Sequence, residues 1–404
     1  MKEAVFLQEV KEIQLLKNAL TLLDWDSSTG MPEKSSPFRG EVEGYLTGLY
    51  FERSIGPVIQ EALAYFETRP EELSELGKLV FEKVKEEYAL NKNVPAERMQ
   101  EYVKVLNQAH TDWLKARAAQ DFGLLEETLT KVVAFQKEFI PYWQKEEKTP
   151  YDVLLNQFEP GMTVEKLDQV FDQVKQGIQE IRTVLAEKGT PPRTDFLSRK
   201  MTKEQQRRFV IGVVEQLGYD FSKGRLDDTV HPFMTALNRN DARITTRWEE
   251  NNFSMATFGV IHEAGHGMYE QNFDPKFDFT PLSEGASMGI HESQSLFNEI
   301  IIGSNRAFWQ KQYPFFQDCA EGTFDDIAFE DFYASLKETK ASLIRIDSDS
   351  LTYPLHIIIR YEIEKMLFNG SLEVADLPKV WNEKYQEYLG VSPENDLEGV
   401  LQDV

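Results

Sequence analysis

Apolar residues recur at three- and four-residue steps along most of the chain, and this spacing predicts a mainly α-helical protein. The clearest stretch runs from Thr163 to Gly189. There Leu167, Val170, Phe171, Val174, Ile178, Ile181 and Leu185 form one apolar stripe, expected to pack on a core. Thr163 suits the helix start and Gly189 its stop. Similar stripes run from Phe6 to Leu23, from Leu73 to Leu90, and after Pro95, a residue suited to a first helical position. Thr202 to Gln205 reads TKEQ, a capping box for another helix. The GTPPRT stretch from Gly189 to Thr194 reads as a short loop between helical layers, and no internal repeat interrupts the pattern.

The period changes once. Between Asp227 and Phe253, turn residues surround Ala242 to Trp248, where Ile244, Thr246 and Trp248 alternate with Arg243, Thr245 and Arg247. That period of two in strand-favouring residues predicts a β-strand. Two uses follow from pattern alone: an exposed edge that holds an extended peptide, or a short hairpin packed on a helical body.

Charge narrows the partners. Acidic residues outnumber basic ones, 68 to 44, giving a net charge of −24. Nucleic acid and anionic membrane surfaces would be repelled, so neither is expected as a partner. A single cysteine, Cys319, rules out an intrachain disulfide framework. The N-terminus MKEAVFLQEVKEIQLL carries acids where a signal peptide needs an apolar core, and no run has the length of a membrane span. The expectation is a soluble cytoplasmic protein.

The chemistry concentrates in VIHEAGHGMYEQ, Val260 to Gln271, on a helix that Ser254 could cap. His262 and His266 lie one turn apart on one face, so both imidazoles can converge on an ion. Glu263 lies about 100° further round the helix, where it can reach a water on that ion without sharing its inner shell. This is the logic of HExxH: two neutral nitrogen ligands and a carboxylate base. A pair of histidines hydrogen-bonded in the interior is the structural alternative. Gly265 and Gly267 inside the same helix each cost about 1 kcal/mol relative to alanine, which marks close approach by another backbone.

A candidate for that neighbour follows. Thr280-Pro281 suits a helix start, and the sequence from Pro281 can run as one helix to Gly303. Gly285, Gly289 and Glu292 share one face of it, so bare glycines would bring Glu292 to the ion. The expected set is His262, His266 and Glu292, with a fourth position open for water. Spacing leaves Glu284, His291 and Glu270 as competitors, Glu270 being the weakest because it would stretch the set over three turns.

With these residues identified, the chain resembles the M32 family of zinc metallocarboxypeptidases. The family's motifs occur in order: the segment LDWDSSTGMP from Leu23 to Pro32; HPF at His231 to Phe233; DxRxT at Asp241 to Thr245; and HExxH at His262 to His266. HES(G/A)Q is present as His291-Glu292-Ser293-Gln294, lacking the small residue before Gln. IRxxAD runs from Ile344 to Asp349, with Ser348 replacing alanine. The ending Gly399-Val-Leu-Gln402-Asp403-Val404 matches GxxQDxHW cut before its His-Trp, so a chain truncated at its C-terminus is expected.

The resemblance implies a large helical metallopeptidase fold with a long groove and a small β-sheet next to the HExxH helix. It implies a single domain over 1–404, with 1–225 as groove wall and 226–404 as the catalytic part, and a homodimer. It also implies Glu292 as third metal ligand and Glu263 as catalytic carboxylate. The cofactor expected is one Zn²⁺ per chain, with Co²⁺ as an alternative ion.

The expected reaction releases single amino acids from the free C-terminus of peptides. A terminal carboxylate calls for an arginine. Arg345 is the first candidate and Arg360 the second, an ion pair between Arg345 and Asp349 being the structural alternative. Arg243 and His231 could serve substrate or structure. His110 and His356 read as structural, and Tyr269 and Tyr353 carry no assignment. The rival readings are a dipeptidyl carboxypeptidase or endopeptidase on the same scaffold, or an inactive helical binding fragment.

Overall fold

A computed structural model describes residues 1–229 and 231–402; Val230, and Asp403 and Val404 of the GVLQDV ending, lie outside the described residues. The chain forms two compact units, each assembled from two separated stretches. One comprises Met1–Asn91 and Arg193–Leu336, the other Lys92–Pro192 and Lys337–Val404. Among the described residues no helix is long and apolar enough to cross a membrane.

The first unit is helical around one small sheet. Its core is aromatic: Phe209, Phe253, Trp309, Phe316 and Phe332 are fully buried and touch one another in stacked, tilted and edge-on pairs. Each such ring contributes about 1.5–3 kcal/mol through burial. Strand β1 (Leu226–Asp228) runs parallel to β3 (Asp241–Thr246), and β2 (Met234–Asn238) runs antiparallel to it, in the order β1-β3-β2. Ile244, fully buried at the centre, pairs with Leu226 on one side and Met234 on the other. The strand read from alternation is therefore β3, and it is the central strand. The hairpin reading holds, because both of its hydrogen-bonding edges are taken by neighbours.

The helix Glu3–Thr29 lies along β2, where the Asn18 side chain donates to the Leu237 carbonyl. Further along it, Trp25 is almost fully buried, with the guanidinium of Arg243 4.4 Å from its ring centre and that of Arg225 5.2 Å away. The helix-and-sheet contact is thereby fixed by cation–π attraction as well as by burial.

In the second unit, helices including Val164–Lys188, Tyr353–Phe368 and Leu377–Leu389 pack around Leu355, Ile358, Ile359, Trp381 and Tyr385. Thr163 caps the first of these, accepting the Lys166 amide at 3.3 Å. Its apolar stripe, however, is only partly covered. Phe171, Val174 and Ile178 pack on the core, whereas Val170, Ile181 and Leu185 are 53%, 49% and 43% exposed. Periodicity fixes which face is apolar, not how much of that face a neighbour covers.

Candidate active site

The histidines stand on the helix Phe253–Gln271. Its N-cap position is Asn252, with no side-chain cap, so Ser254 lies inside the helix and does not cap it. The start is held instead by Phe253, packed against Phe316, Phe324 and Phe332. Burial outweighs the missing cap, which is worth about 1 kcal/mol.

The two glycines serve two different neighbours. A β-carbon on Gly265 would come 2.6 Å from the Gln294 carbonyl oxygen and 2.7 Å from the Ser295 α-carbon. One on Gly267 would meet the Tyr219 ring at 2.7 Å, with Ile244 of β3 at 3.4 Å. The helix is thus pressed against the Glu292-bearing segment on one side and the sheet on the other.

That segment starts later than its sequence suggests. The helix is Met288–Leu296, begun by Ser287, whose hydroxyl accepts the Ile290 amide at 3.2 Å. It continues as a wider π-turn from Phe297 to Ile302. Pro281 to Ala286 form turns pinned from outside: Glu284 pairs with Lys17, and the Ala286 amide donates to the Tyr269 hydroxyl. Gly285 therefore lies outside the helix and faces the His291 ring. Ser287 out-competes Pro281 as a start because its side chain satisfies a free amide, while Gly285 costs helix stability. The close approach is made by Gly265, not by Gly285.

The result brings three donors together. One ring nitrogen each of His262 and His266 and a carboxylate oxygen of Glu292 all lie within 4.8 Å of one another. Glu292 Oε2 is 3.7 Å from His262 Nε2 and 3.3 Å from His266 Nε2. Two donors held about 2.0–2.1 Å from a tetrahedral ion stand about 3.3 Å apart, so donors at these separations suit a small divalent cation. Both outward-facing Nδ1 atoms are engaged. Glu299 Oε2 lies 2.7 Å from His262 Nδ1, and His291 Nδ1 lies 2.6 Å from His266 Nδ1. His291 Nε2 in turn faces Glu270 Oε1 at 2.8 Å. Neutral imidazoles anchored at Nδ1 leave Nε2 as the free lone pair, the state a metal requires.

The charges and burial of the site shift three of its groups. Glu263 is 8% exposed, and burial pushes its carboxyl up to about 7. His262 opposes this rise, while the Glu292 and Glu299 carboxylates add to it. A carboxylate poised there is matched to proton exchange near neutral pH. Burial lowers the proton affinity of His262, but its bond to Glu299 and the Glu263 and Glu292 charges carry it above the usual imidazole value. Burial raises Glu292, yet its contact with His266 and the charge of His262 hold it below the usual carboxylate range.

The remaining candidates are placed elsewhere. Glu284 binds Lys17, and Glu270 and His291 stand behind His266. Arg243 makes a two-pronged ion pair with Asp241 in addition to its contact with Trp25. His231 is exposed, just before Phe233, whose amide and carbonyl bond the Thr245 hydroxyl. In the second unit Arg345 opens a short turn, its amide donating to Gln402 Oε1 at 3.2 Å. Asp349 accepts from the Lys340, Leu351 and Thr352 amides. Arg360 donates to the His356 carbonyl and to Gln402, and lies over the Trp381 ring. His356 is buried against the Tyr385 hydroxyl, and His110 lies beside Trp113. Sequence reading missed Glu299 and the role of His291 and Glu270. Spacing did carry a signal, since Glu270 is one turn beyond His266 and Glu299 two turns beyond Glu292.

Comparison with known proteins places the chain among metallopeptidases. The family described as Carboxypeptidase Taq (M32) metallopeptidase matches residues 5–404. The chain is 45% identical to Carboxypeptidase 1 of Bacillus subtilis (strain 168) over 402 residues, covering 100% of this chain and 80% of that one. It is 34% identical to Thermostable carboxypeptidase 1 of Thermus thermophilus, covering 98% and 79% respectively. The crystal structure of an M32 carboxypeptidase from Deinococcus radiodurans R1 superposes with a TM-score of 0.94 at 34% identity, over 98% of this chain and 80% of that chain.

Proposed function

Because the chain belongs to the M32 carboxypeptidase family and is a metallocarboxypeptidase, we propose that it releases single amino acids from free peptide C-termini, with Glu263 as general base. His262, His266 and Glu292 would hold one divalent ion, zinc in the first instance and cobalt as the alternative. An ion bound there supplies Lewis acidity to the scissile carbonyl and to the attacking water. Glu263 accepts the proton from that water as its oxygen attacks the carbonyl carbon. It then delivers the proton to the departing amine as the C–N bond breaks. One water is consumed, and a shortened peptide and a free amino acid are produced.

The observation that carries this reading is the pairing of a converged His262–His266–Glu292 donor set with a buried Glu263 raised to about 7. For the substrate's terminal carboxylate we retain Arg345 as the proposed partner, since a guanidinium binds it with two parallel hydrogen bonds. Arg360, Arg243 and His231 are the weaker candidates.

The test is digestion of one peptide in free and C-terminally amidated forms, with products identified by mass. Stepwise loss of single residues from the free form alone is the expected result. Release of dipeptides, or internal cleavage of the amidated form, would replace the proposal with the dipeptidyl or endopeptidase reading.

A further inference from the structure

We propose that His291 and Glu270 form a positioning pair that sets the tautomer of His266 and so its readiness to bind the ion; this rests on the metal reading above. The geometry is a linear chain: His266 Nδ1 to His291 Nδ1 at 2.6 Å, then His291 Nε2 to Glu270 Oε1 at 2.8 Å. Proton placement along it follows from one end. A carboxylate only accepts, so His291 must carry its proton on Nε2. A neutral His291 then offers only a lone pair at Nδ1, and His266 must donate from its own Nδ1. The Nε2 of His266 is thereby left bare and facing Glu292. Reversing the chain would put a proton on Nε2, where a cation has to bind.

The pair is built into the fold at several points. Glu270 is buried on the histidine helix, one turn beyond His266, so the same helix supplies both ends of the chain. The His291 ring meets Tyr269 edge-on at 5.3 Å, and a β-carbon on Gly285 would come 2.6 Å from it. Tyr269 also accepts the Ala286 amide, closing the 281–287 turn over the ring. The two ligand histidines are thus held differently. His262 is oriented by a carboxylate directly, whereas His266 is oriented by a carboxylate acting through a second imidazole. His291 is a positioning residue, not a ligand.

The experiment is zinc affinity by chelator competition on the full chain, for His291→Ala, His291→Asn, Glu270→Ala and the double variant His291→Asn with Glu270→Ala. Thermal unfolding of each metal-free form is measured in parallel. Loss of an outer partner weakens metal binding by about 10- to 100-fold, so His291→Ala should fall in that range. Asparagine places a carbonyl near the lost Nδ1 and needs no Glu270. His291→Asn should therefore recover most of the affinity, and adding Glu270→Ala to it should change little, although Glu270→Ala alone weakens binding. Wild-type-like affinity in His291→Ala, or equal losses from Glu270→Ala in both backgrounds, would overturn the proposal. Should His291→Ala not fold, the two Glu270 comparisons still decide. Failure of the wild-type chain to bind zinc would instead sink the metal reading itself.

Discussion

Gly265 lies so close to Gln294 that a β-carbon there would sit 2.6 Å from the Gln294 carbonyl oxygen. The atoms it would strike belong to backbone and cannot rotate away. Gly265→Ala gains about 1 kcal/mol of helix propensity but overpacks a tight contact at about 1–3 kcal/mol, so net destabilisation is expected. Because Glu292 rides on the displaced segment, zinc affinity should fall as well. Gly259→Ala is the control: its β-carbon would meet only the Thr246 hydroxyl at 4.0 Å, so its stability should hold or rise. Denaturant midpoints and chelator competition check both.

Glu263→Gln removes the proton acceptor and keeps the shape. The variant should bind one zinc per chain like the parent while turnover drops by about 10²–10⁴-fold or more. Elemental analysis alongside peptide hydrolysis makes the measurement. Retained cleavage would assign the base elsewhere.

Metal removal should destabilise the first unit. Binding to the folded state alone adds about 2.7 kcal/mol when free metal is a hundred times its Kd. Chelation should therefore lower the unfolding temperature of the parent, and added zinc should restore it. In Glu292→Ala the same additions should move it much less.

Glu87 offers a stability change with pH away from the metal donors. Burial raises its carboxyl above the ordinary value, Glu284 adding to the rise and Lys17 opposing it. The folded state then holds that proton more tightly than the unfolded chain. Stability from this group is intact below the unfolded value, near 4.5, and declines as pH climbs toward the raised folded value. Glu87→Gln should match the parent near pH 4 and exceed it at pH 7.5 in urea unfolding. A parent more stable than the variant at pH 7.5 would reverse the sign.

Much of this protein was legible as sequence because its signals are local. Helical spacing gave the helices, and TKEQ gave a capping box that the structure contains at Thr202 and Gln205. HExxH put two imidazoles on one face, since a pitch of 3.6 residues allows nothing else. The chance to set Glu292 beside them came from two glycines in the histidine helix, of which Gly265 makes the contact.

What sequence left open depends on which surfaces meet. Strand propensity located β3 but could not say that β1 and β2 would occupy both its edges. Pro281 signalled a helix start that Ser287 takes instead, because turns anchored through Lys17 and Tyr269 hold the preceding residues. The order of residues along the chain, then, determined the helices, the imidazole pair and the adjacent base, all governed by contacts within a few residues. Only the tertiary structure decided which of His291, Glu270, Glu284 and Glu292 converges with the two imidazoles and which stands behind. That choice is made by the packing of distant segments, to which periodicity is blind.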